Sequence, residues 1–339
     1  MRSYRLDKPG HPDGLVLHHG EPPTPGATEV LVKVHAASLN RRDALILSGR
    51  YPLPARPGVV ALSDGAGEVV ATGAAVTRFR TGDHVTGSYF PRWTDGRLRP
   101  DLADQLGCTV DGLLTEYAVL DEQALAAVPA GLGWAEAASL TCAGVAAWRA
   151  LTGGGPLLAG QTVLTLGSGD VSLFAAQFAK VHGCRVIAVS GSDAGAERLA
   201  EVGADHVIDR RRTPEWSGEV RRLTGGAGAD VVVETHGPAT IEQSVRAAAL
   251  YGQIVLLWVV GDRPAALRIT DEAYAGSLAT IRREFVGSRS DLEAVIRAVD
   301  VHGLRPVVGR EFGFDEVPKA YGHFLDRGTV GKTVIRVAG

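Results

Sequence analysis

Between an apolar run, Thr162 to Leu166, and a helical run, Ser172 to His182, stands the turn Gly167-Ser-Gly-Asp-Val-Ser172. Gly167 and Gly169 fill the first two positions of a G-x-G-x-x-G fingerprint. Ser172 takes the third, where a small residue packs helix against strand. Strand, glycine turn and helix in that order open a parallel βαβ unit of the dinucleotide-binding kind, or else form a tight turn with no ligand. Either way the middle of the chain is committed to an α/β layer. The neighbouring sequence agrees. Trp134 to Leu151 reads as a long alanine-rich helix. Arg185 to Val189, His206 to Ile208, Val231 to Glu234 and Gln253 to Val259 read as strands, with helices at Ala194 to Val202 and Thr240 to Leu250. Apolar strands alternating with helices predict a parallel sheet covered on both faces.

The first 125 residues have a different texture. Val30 to Val34, Gly67 to Ala71 and His84 to Thr86 are short strand candidates separated by Thr-Gly and Gly-Asp turns, and helical periodicity is scarce. The tail alternates helix and strand: Ser290 to Ala298, Glu311 to Phe314, Val317 to Asp326 and Thr333 to Val337. It matches the first region better than the middle, so it is expected to fold back. The expected domains are 1–125 with 288–339, and 126–287. The net charge of −3 offers no basic excess for a nucleic acid, and the longest apolar run, Ile254 to Val260, is too short for a bilayer. The first twenty residues lack the apolar core of a secretory signal, which points to the cytoplasm. Three cysteines, Cys108, Cys142 and Cys184, make neither a disulfide framework nor a C-x-x-C zinc knuckle.

In a dinucleotide fold, Gly167, Ser168, Gly169, Asp170 and Val171 would frame the pyrophosphate. The second strand ends at Val189-Ser190, without the acid that holds the ribose hydroxyls of NAD. NADP is therefore favoured. Ser190 and Ser192 would bond its 2′-phosphate, with charge from Arg210 in the run Arg210-Arg211-Arg212. A solvated arginine loop is the competing reading.

These residues, with Leu39-Asn-Arg-Arg-Asp43, Leu62-Ser-Asp-Gly-Ala-Gly-Glu68, Phe79-Arg-Thr-Gly-Asp-His-Val85, Phe90-Pro-Arg-Trp93, Thr141-Cys-Ala-Gly144, Gly203-Ala-Asp-His-Val-Ile208 and Val286-Gly-Ser-Arg289, carry a resemblance over nearly the whole chain. It resembles the medium-chain dehydrogenase/reductase superfamily, in its zinc-lacking, quinone-oxidoreductase-like branch. The resemblance implies a GroES-like β-rich catalytic domain, a Rossmann domain, an active site in the cleft between them and a homodimer joined through the Rossmann sheets. The family's zinc-ligand positions match Asn40, Ser63 and Cys142 here, so no metal is expected. Zinc-lacking relatives usually reduce quinones or α,β-unsaturated carbonyls. By position, Asn40 would orient the substrate oxygen, with Asp43, Tyr51, Tyr89 and Trp93 in the pocket. Tyr51 or Tyr89 would relay a proton, unless solvent does so or these aromatics only pack. Cys142 is either a cleft residue or a small buried hydrophobe. Val259, Val260 and Arg289 would lie on the nicotinamide side.

Four departures fall on the cofactor surface. Asp170, read as a helix cap, stands beside the pyrophosphate. Gly195 replaces a lysine, and His236 and Trp258 replace glycines. Together they suggest altered or lost nucleotide binding. The leading expectation is a zinc-independent, NADPH-dependent oxidoreductase acting on a conjugated carbonyl or quinone-like small molecule. The alternative is a non-redox cyclase, isomerase or lyase, with Trp258 filling the vacated pocket and His236 as its acid–base group. A binding protein without turnover is the third reading.

Overall fold

The computed structural model describes residues 1–257, 266–326 and 329–338. The chain divides into two compact units, Met1–Val145 with Val286–Gly339, and Ala146–Phe285.

The first unit is built on sheets. Leu15–His19, Arg2–Leu6 and Val59–Val60 form a three-stranded sheet. A larger sheet runs in the order Val308–Gly313, Lys332–Arg336, Glu29–Ser38, Asp64–Thr72, His84–Gly87, Leu125–Ala127, and Tyr117–Asp121 also pairs with Glu29–Ser38. In Glu29–Ser38, valines at 30, 32 and 34 alternate onto one face and are buried with Leu39, Val59, Val85 and Ile335. Burying each such side chain contributes about 1.5–3 kcal/mol. The last strand pairs antiparallel with this strand, Val334 opposite Ser38. Continuing that register by two residues brings Lys332 opposite Asn40, the residue before the short helix Arg41–Leu47. The last strand of the tail thus lies beside a strand of the first region.

Segment 126–145 also belongs to this unit rather than to the second, a shift from the expected boundary near 125. Its polar groups are spent there: Thr141 Oγ1 donates to the Gly87 carbonyl at 2.9 Å, and Ser38 Oγ donates to the Ala138 carbonyl at 2.9 Å. For the same reason the single helix expected over Trp134 to Leu151 is broken. It consists of Trp134–Ala137, a π-turn at Leu140–Gly144, and Val145–Thr152.

The second unit is a six-stranded parallel sheet in the order His206–Asp209, Arg185–Ser190, Thr162–Leu166, Ala229–Glu234, Ala248–Leu256, Thr280–Arg283. Counted along the chain this is 3-2-1-4-5-6, the doubly wound order. The order reverses between Thr162–Leu166 and Ala229–Glu234, and in such sheets ligands bind beyond the carboxyl ends of the strands at that reversal. Leu164, Ile187, Val232 and Ile254 fill the core between sheet and helices. The helix expected to reach Leu250 ends at Ala247, and a strand begins at Ala248, because Ala248 pairs with Ala229 of the neighbouring strand. No helix among the described residues is long and apolar enough to cross a membrane.

Candidate active site

In the first unit, the chain reversal before Arg41–Leu47 gathers an unusual density of buried polar groups. Lys332 extends from the last strand with 1% of its side chain exposed. Its ammonium donates to Asn40 Oδ1 at 2.7 Å and to the Leu39 carbonyl at 2.8 Å, and stands 3.6 Å from Asp64 Oδ2. Asp64 is fully buried. Its carboxylate also accepts from Ser63 Oγ at 2.7 Å and from the Cys142 backbone N–H at 3.2 Å. Asn40, Ser63 and Cys142 are therefore brought together around one carboxylate and one ammonium. Asn40 is buried, and its Nδ2 has no hydrogen-bond partner among the described residues. The Cys142 thiol is pushed well up by burial and further by Asp64, so it stays protonated.

Asp43 sits one turn further on. Its Oδ2 accepts from the Asn40 backbone N–H at 2.8 Å, which ties the start of the helix. Burial pushes its carboxyl up to about 6, against the pull of Arg42 beside it and with a further push from Asp64. Arg42 is itself buried. Its guanidinium donates to the Leu106 carbonyl at 2.8 Å and lies 4.7 Å from the Tyr89 ring centre and 5.5 Å from that of Tyr51. Both phenol hydroxyls stand 2.9 Å from Gln105 Oε1 and 3.1 Å from each other. Burial raises both phenols, most of all Tyr89, so both remain neutral donors near pH 7.

Trp93 does not join this cluster through its polar atom. Its indole N–H donates to the Asp95 and Gly96 carbonyls in its own loop, and its ring packs edge-on against Phe90. Arg289 likewise engages groups of the first unit, Gln123 by hydrogen bonds and Glu293 at 3.5 Å.

In the second unit, Gly167 adopts a φ of +78°, which favours glycine. The imidazole of His236 lies against it: a carbon added at Gly167 would fall 2.6 Å from His236 Cε1. His236 thus does face the glycine turn at the reversal of strand order. The loop carrying it is held by Glu234, whose buried carboxylate accepts from the backbone N–H groups of His236 and Gly237 and from the hydroxyls of Thr240 and Ser244. Gly169 is different. A carbon added there would meet nothing within 4 Å, so the turn is open at its second glycine. Gly169, not Asp170, occupies the cap position. Asp170 is the first residue of the helix Asp170–Val181. Val171 follows it, and the Ser172 hydroxyl donates to the Leu166 carbonyl at 2.7 Å, locking helix to strand.

At the end of the second strand, Ser190 Oγ donates to the Ser192 carbonyl at 2.9 Å, and Ser192 caps the helix Asp193–Glu201 through the Gly195 N–H. A carbon at Gly195 would fall 2.3 Å from Ser168 Oγ and 2.9 Å from Ser190 Oγ. Glycine there leaves the space into which the two serine side chains converge. Of the three arginines, Arg211 pairs with Asp193 and Asp209, and Arg212 lies 3.6 Å from Asp209. Arg210 is exposed, and its guanidinium lies over Gly191. Among the described residues it meets no carboxylate. Trp258, Val259 and Val260 lie outside the described residues.

Sequence reasoning singled out Asn40, Asp43, Tyr51, Tyr89, Cys142, Ser190, Ser192 and Arg210. It passed over Lys332, Asp64, Arg42 and Gln105 as site residues. The available signal for Lys332 was a charged residue at the head of an apolar strand, Lys332-Thr-Val-Ile-Arg336.

The chain is similar to known proteins over most of its length. The family described as Alcohol dehydrogenase GroES-like domain matches residues 26–130, and Zinc-binding dehydrogenase matches residues 171–301. A zinc-type alcohol dehydrogenase-like protein of Schizosaccharomyces pombe is 39% identical over 320 residues, covering 91% of each chain. A quinone oxidoreductase of Pseudomonas aeruginosa is 30% identical, covering 96% of each. A solved NAD-dependent alcohol dehydrogenase superposes with a TM-score of 0.88 at 32% identity, covering all of both chains. The chain belongs to the medium-chain dehydrogenase/reductase superfamily, with a GroES-like domain and a Rossmann-like domain. It is an oxidoreductase of that type.

Proposed function

We propose that the chain is an NADPH-dependent, zinc-independent reductase of conjugated carbonyls or quinone-like small molecules. The observation that carries this reading is the composition of the polar cluster at the family's metal-ligand positions. An amide, a hydroxyl and a protonated thiol stand there, and the charges beside them are the Lys332 ammonium and the Asp64 carboxylate, which lie 3.6 Å apart. A catalytic zinc needs three good donors, typically thiolate, imidazole or carboxylate. Among the described residues, no group of three His, Cys, Asp or Glu could hold a metal ion. One thiol and one carboxylate, the latter facing the Lys332 ammonium, support a site that works without zinc, and the amide and hydroxyl suit a carbonyl oxygen, which accepts hydrogen bonds as charge builds on it.

The residues around the glycine turn fit a nicotinamide dinucleotide. The turn is open at Gly169 and opens a twelve-residue helix, whose N-terminal N–H groups favour a pyrophosphate. Arg210 would meet the 2′-phosphate, with Ser190 and Ser192 beside it. When bound, such a cofactor supplies the hydride. Asn40 donates to the substrate oxygen. Tyr51, the less buried of the two tyrosines, passes a proton while Tyr89 and Gln105 hold its hydroxyl. Among the described residues the strand Thr280–Arg283 is paired on one side only, which supports a homodimer joined through this sheet, and the cytoplasm remains the expected compartment.

A second reading, a non-redox cyclase, isomerase or lyase, draws on His236 pressed against Gly167. The openness at Gly169 favours the first. Calorimetric titration with NADPH and NADH separates them, followed by turnover with enones and quinones. We expect NADPH to bind tightly and NADH weakly. Arg210→Ala should weaken NADPH by roughly ten- to hundredfold and leave NADH unchanged. Absence of binding by either nucleotide would overturn the reading and favour non-redox chemistry.

A further inference from the structure

Building on the reductase reading, we propose that Lys332 is a positioning residue that sets which end of the Asn40 amide faces the substrate. An asparagine amide has an acceptor end and a donor end, and a free side chain can present either. An ammonium has three donors and no acceptor. With Lys332 Nζ at 2.7 Å, the end that faces it must be Oδ1. A second bond to the Leu39 carbonyl and the nearby Asp64 carboxylate fix the ammonium in turn. Nδ2 is thereby turned away as a donor. It is buried, on a residue 5% exposed, and has no partner among the described residues. Buried amide donors are normally satisfied, and an exception calls for a group supplied from elsewhere. A carbonyl oxygen brought by a bound molecule is such a group. The positive charge on the far side of the amide also polarises it, which makes the N–H a stronger donor. Lys332 enters the strand from the opposite end of the chain, so its role is invisible to any local reading.

The test is a double-mutant cycle on the full chain. It uses Lys332→Met, Asn40→Ala and their combination, with Lys332→Arg as the conservative variant. The probe is duroquinone, whose substituted ring reacts slowly with thiols. Two readouts are taken: its dissociation constant without cofactor, and kcat and KM for its reduction with NADPH. Each single loss should weaken binding and lower kcat/KM by roughly ten- to hundredfold. In the Asn40→Ala background, Lys332→Met should add less than about twofold, because the two residues act as one. Lys332→Arg, still a donor-only cation, should recover most of the loss.

Additive losses, or unchanged binding in Lys332→Met, would overturn the proposal and leave Lys332 a structural partner of Asp64. If Lys332→Met does not fold, Lys332→Met with Asp64→Asn removes both buried charges and takes its place in the cycle. Coupled binding in a protein that never oxidises NADPH would sink the reductase reading and keep the role of Lys332. Turnover with an additive cycle would do the reverse, and failure to bind duroquinone at all would remove both.

Discussion

Lys332 and Asp64 of the first unit stand 3.6 Å apart with almost no exposed surface, whereas Arg211 and Asp209 of the second stand 2.8 Å apart in contact with water. The carboxylates show the contrast. Asp43, in the first unit, is pushed up to about 6 by burial. Asp209, in the second, is pulled down to about 2 by its bonds to Arg211. Buried charges are costly to assemble and costlier to split, while exposed pairs contribute little and are screened by salt. A chain under no functional demand would replace a buried pair with apolar side chains at small cost. Keeping one beside Asn40 suggests that geometry there is worth more than stability. In the second unit the charges lie where a diffusing anion would meet them, and they can change without disturbing the core.

The largest expected effect breaks this contrast at its centre. Asp64→Ala leaves the Lys332 ammonium buried without its carboxylate and removes the acceptor of the Ser63 hydroxyl and the Cys142 N–H. The first unit should lose about 3–5 kcal/mol. Asp209→Ala, its counterpart in the second unit, should leave the unfolding midpoint nearly unchanged. Urea titrations of the two variants against the parent measure both. Equal losses would mean that burial is not what separates the two units.

A smaller effect concerns pH. The Asp43 carboxyl titrates near 6 when folded and near its ordinary 3.8 when unfolded. Below the unfolded value it is protonated in both states and costs nothing. As the pH rises through the interval, the unfolded chain ionises first, so stability falls and levels off above the folded value. The difference corresponds to about 3 kcal/mol, as an order of magnitude. Asp43→Asn, which can still accept from the Asn40 N–H, should flatten this fall between pH 4 and 7. Urea midpoints across that range provide the check. Asp209 has the opposite sign: its contribution is present above its ordinary value and is lost as the pH falls toward 2.

The two units also differ in how far their sites could be read from sequence. The glycine turn is local. Strand, turn and helix lie within about twenty residues, and the strand Thr162–Leu166 has the bounds its apolar run predicts. The serines and Arg210 follow from the same strand count. The polar cluster is not local. Asn40, Asp64, Cys142 and Lys332 come from four separated segments, and only the antiparallel register of the last strand on Glu29–Ser38 brings Lys332 to Asn40. The matching of Asn40, Ser63 and Cys142 came from the family pattern, not from spacing. The helix expected through Leu140–Gly144 shows the same limit in reverse. Alanine-rich sequence favours a continuous helix there, but bonds to Gly87 and Asp64 impose a π-turn. The helix Trp216–Leu223 was missed because most of it is polar and only Trp216, Ser217 and Val220 are buried.

The smallest expected effect sharpens what the cluster is made of. The family resemblance matches Cys142 to a zinc-ligand position, and its sulfur is the softest donor in the cluster. Its bond to Asp64 comes from the backbone N–H, not from the sulfur. Burial and the Asp64 carboxylate raise the thiol, so the nucleophilic form is scarce at neutral pH. Cys142→Ser keeps the backbone bond and exchanges one small neutral group for another. It should leave kcat/KM within about twofold, since no interaction of the reaction is removed, and the parent should react slowly with iodoacetamide. A loss beyond tenfold, restored by neither added metal nor reductant, would place the sulfur in contact with the reacting atoms. Asn40 and Lys332 would then no longer account for the site.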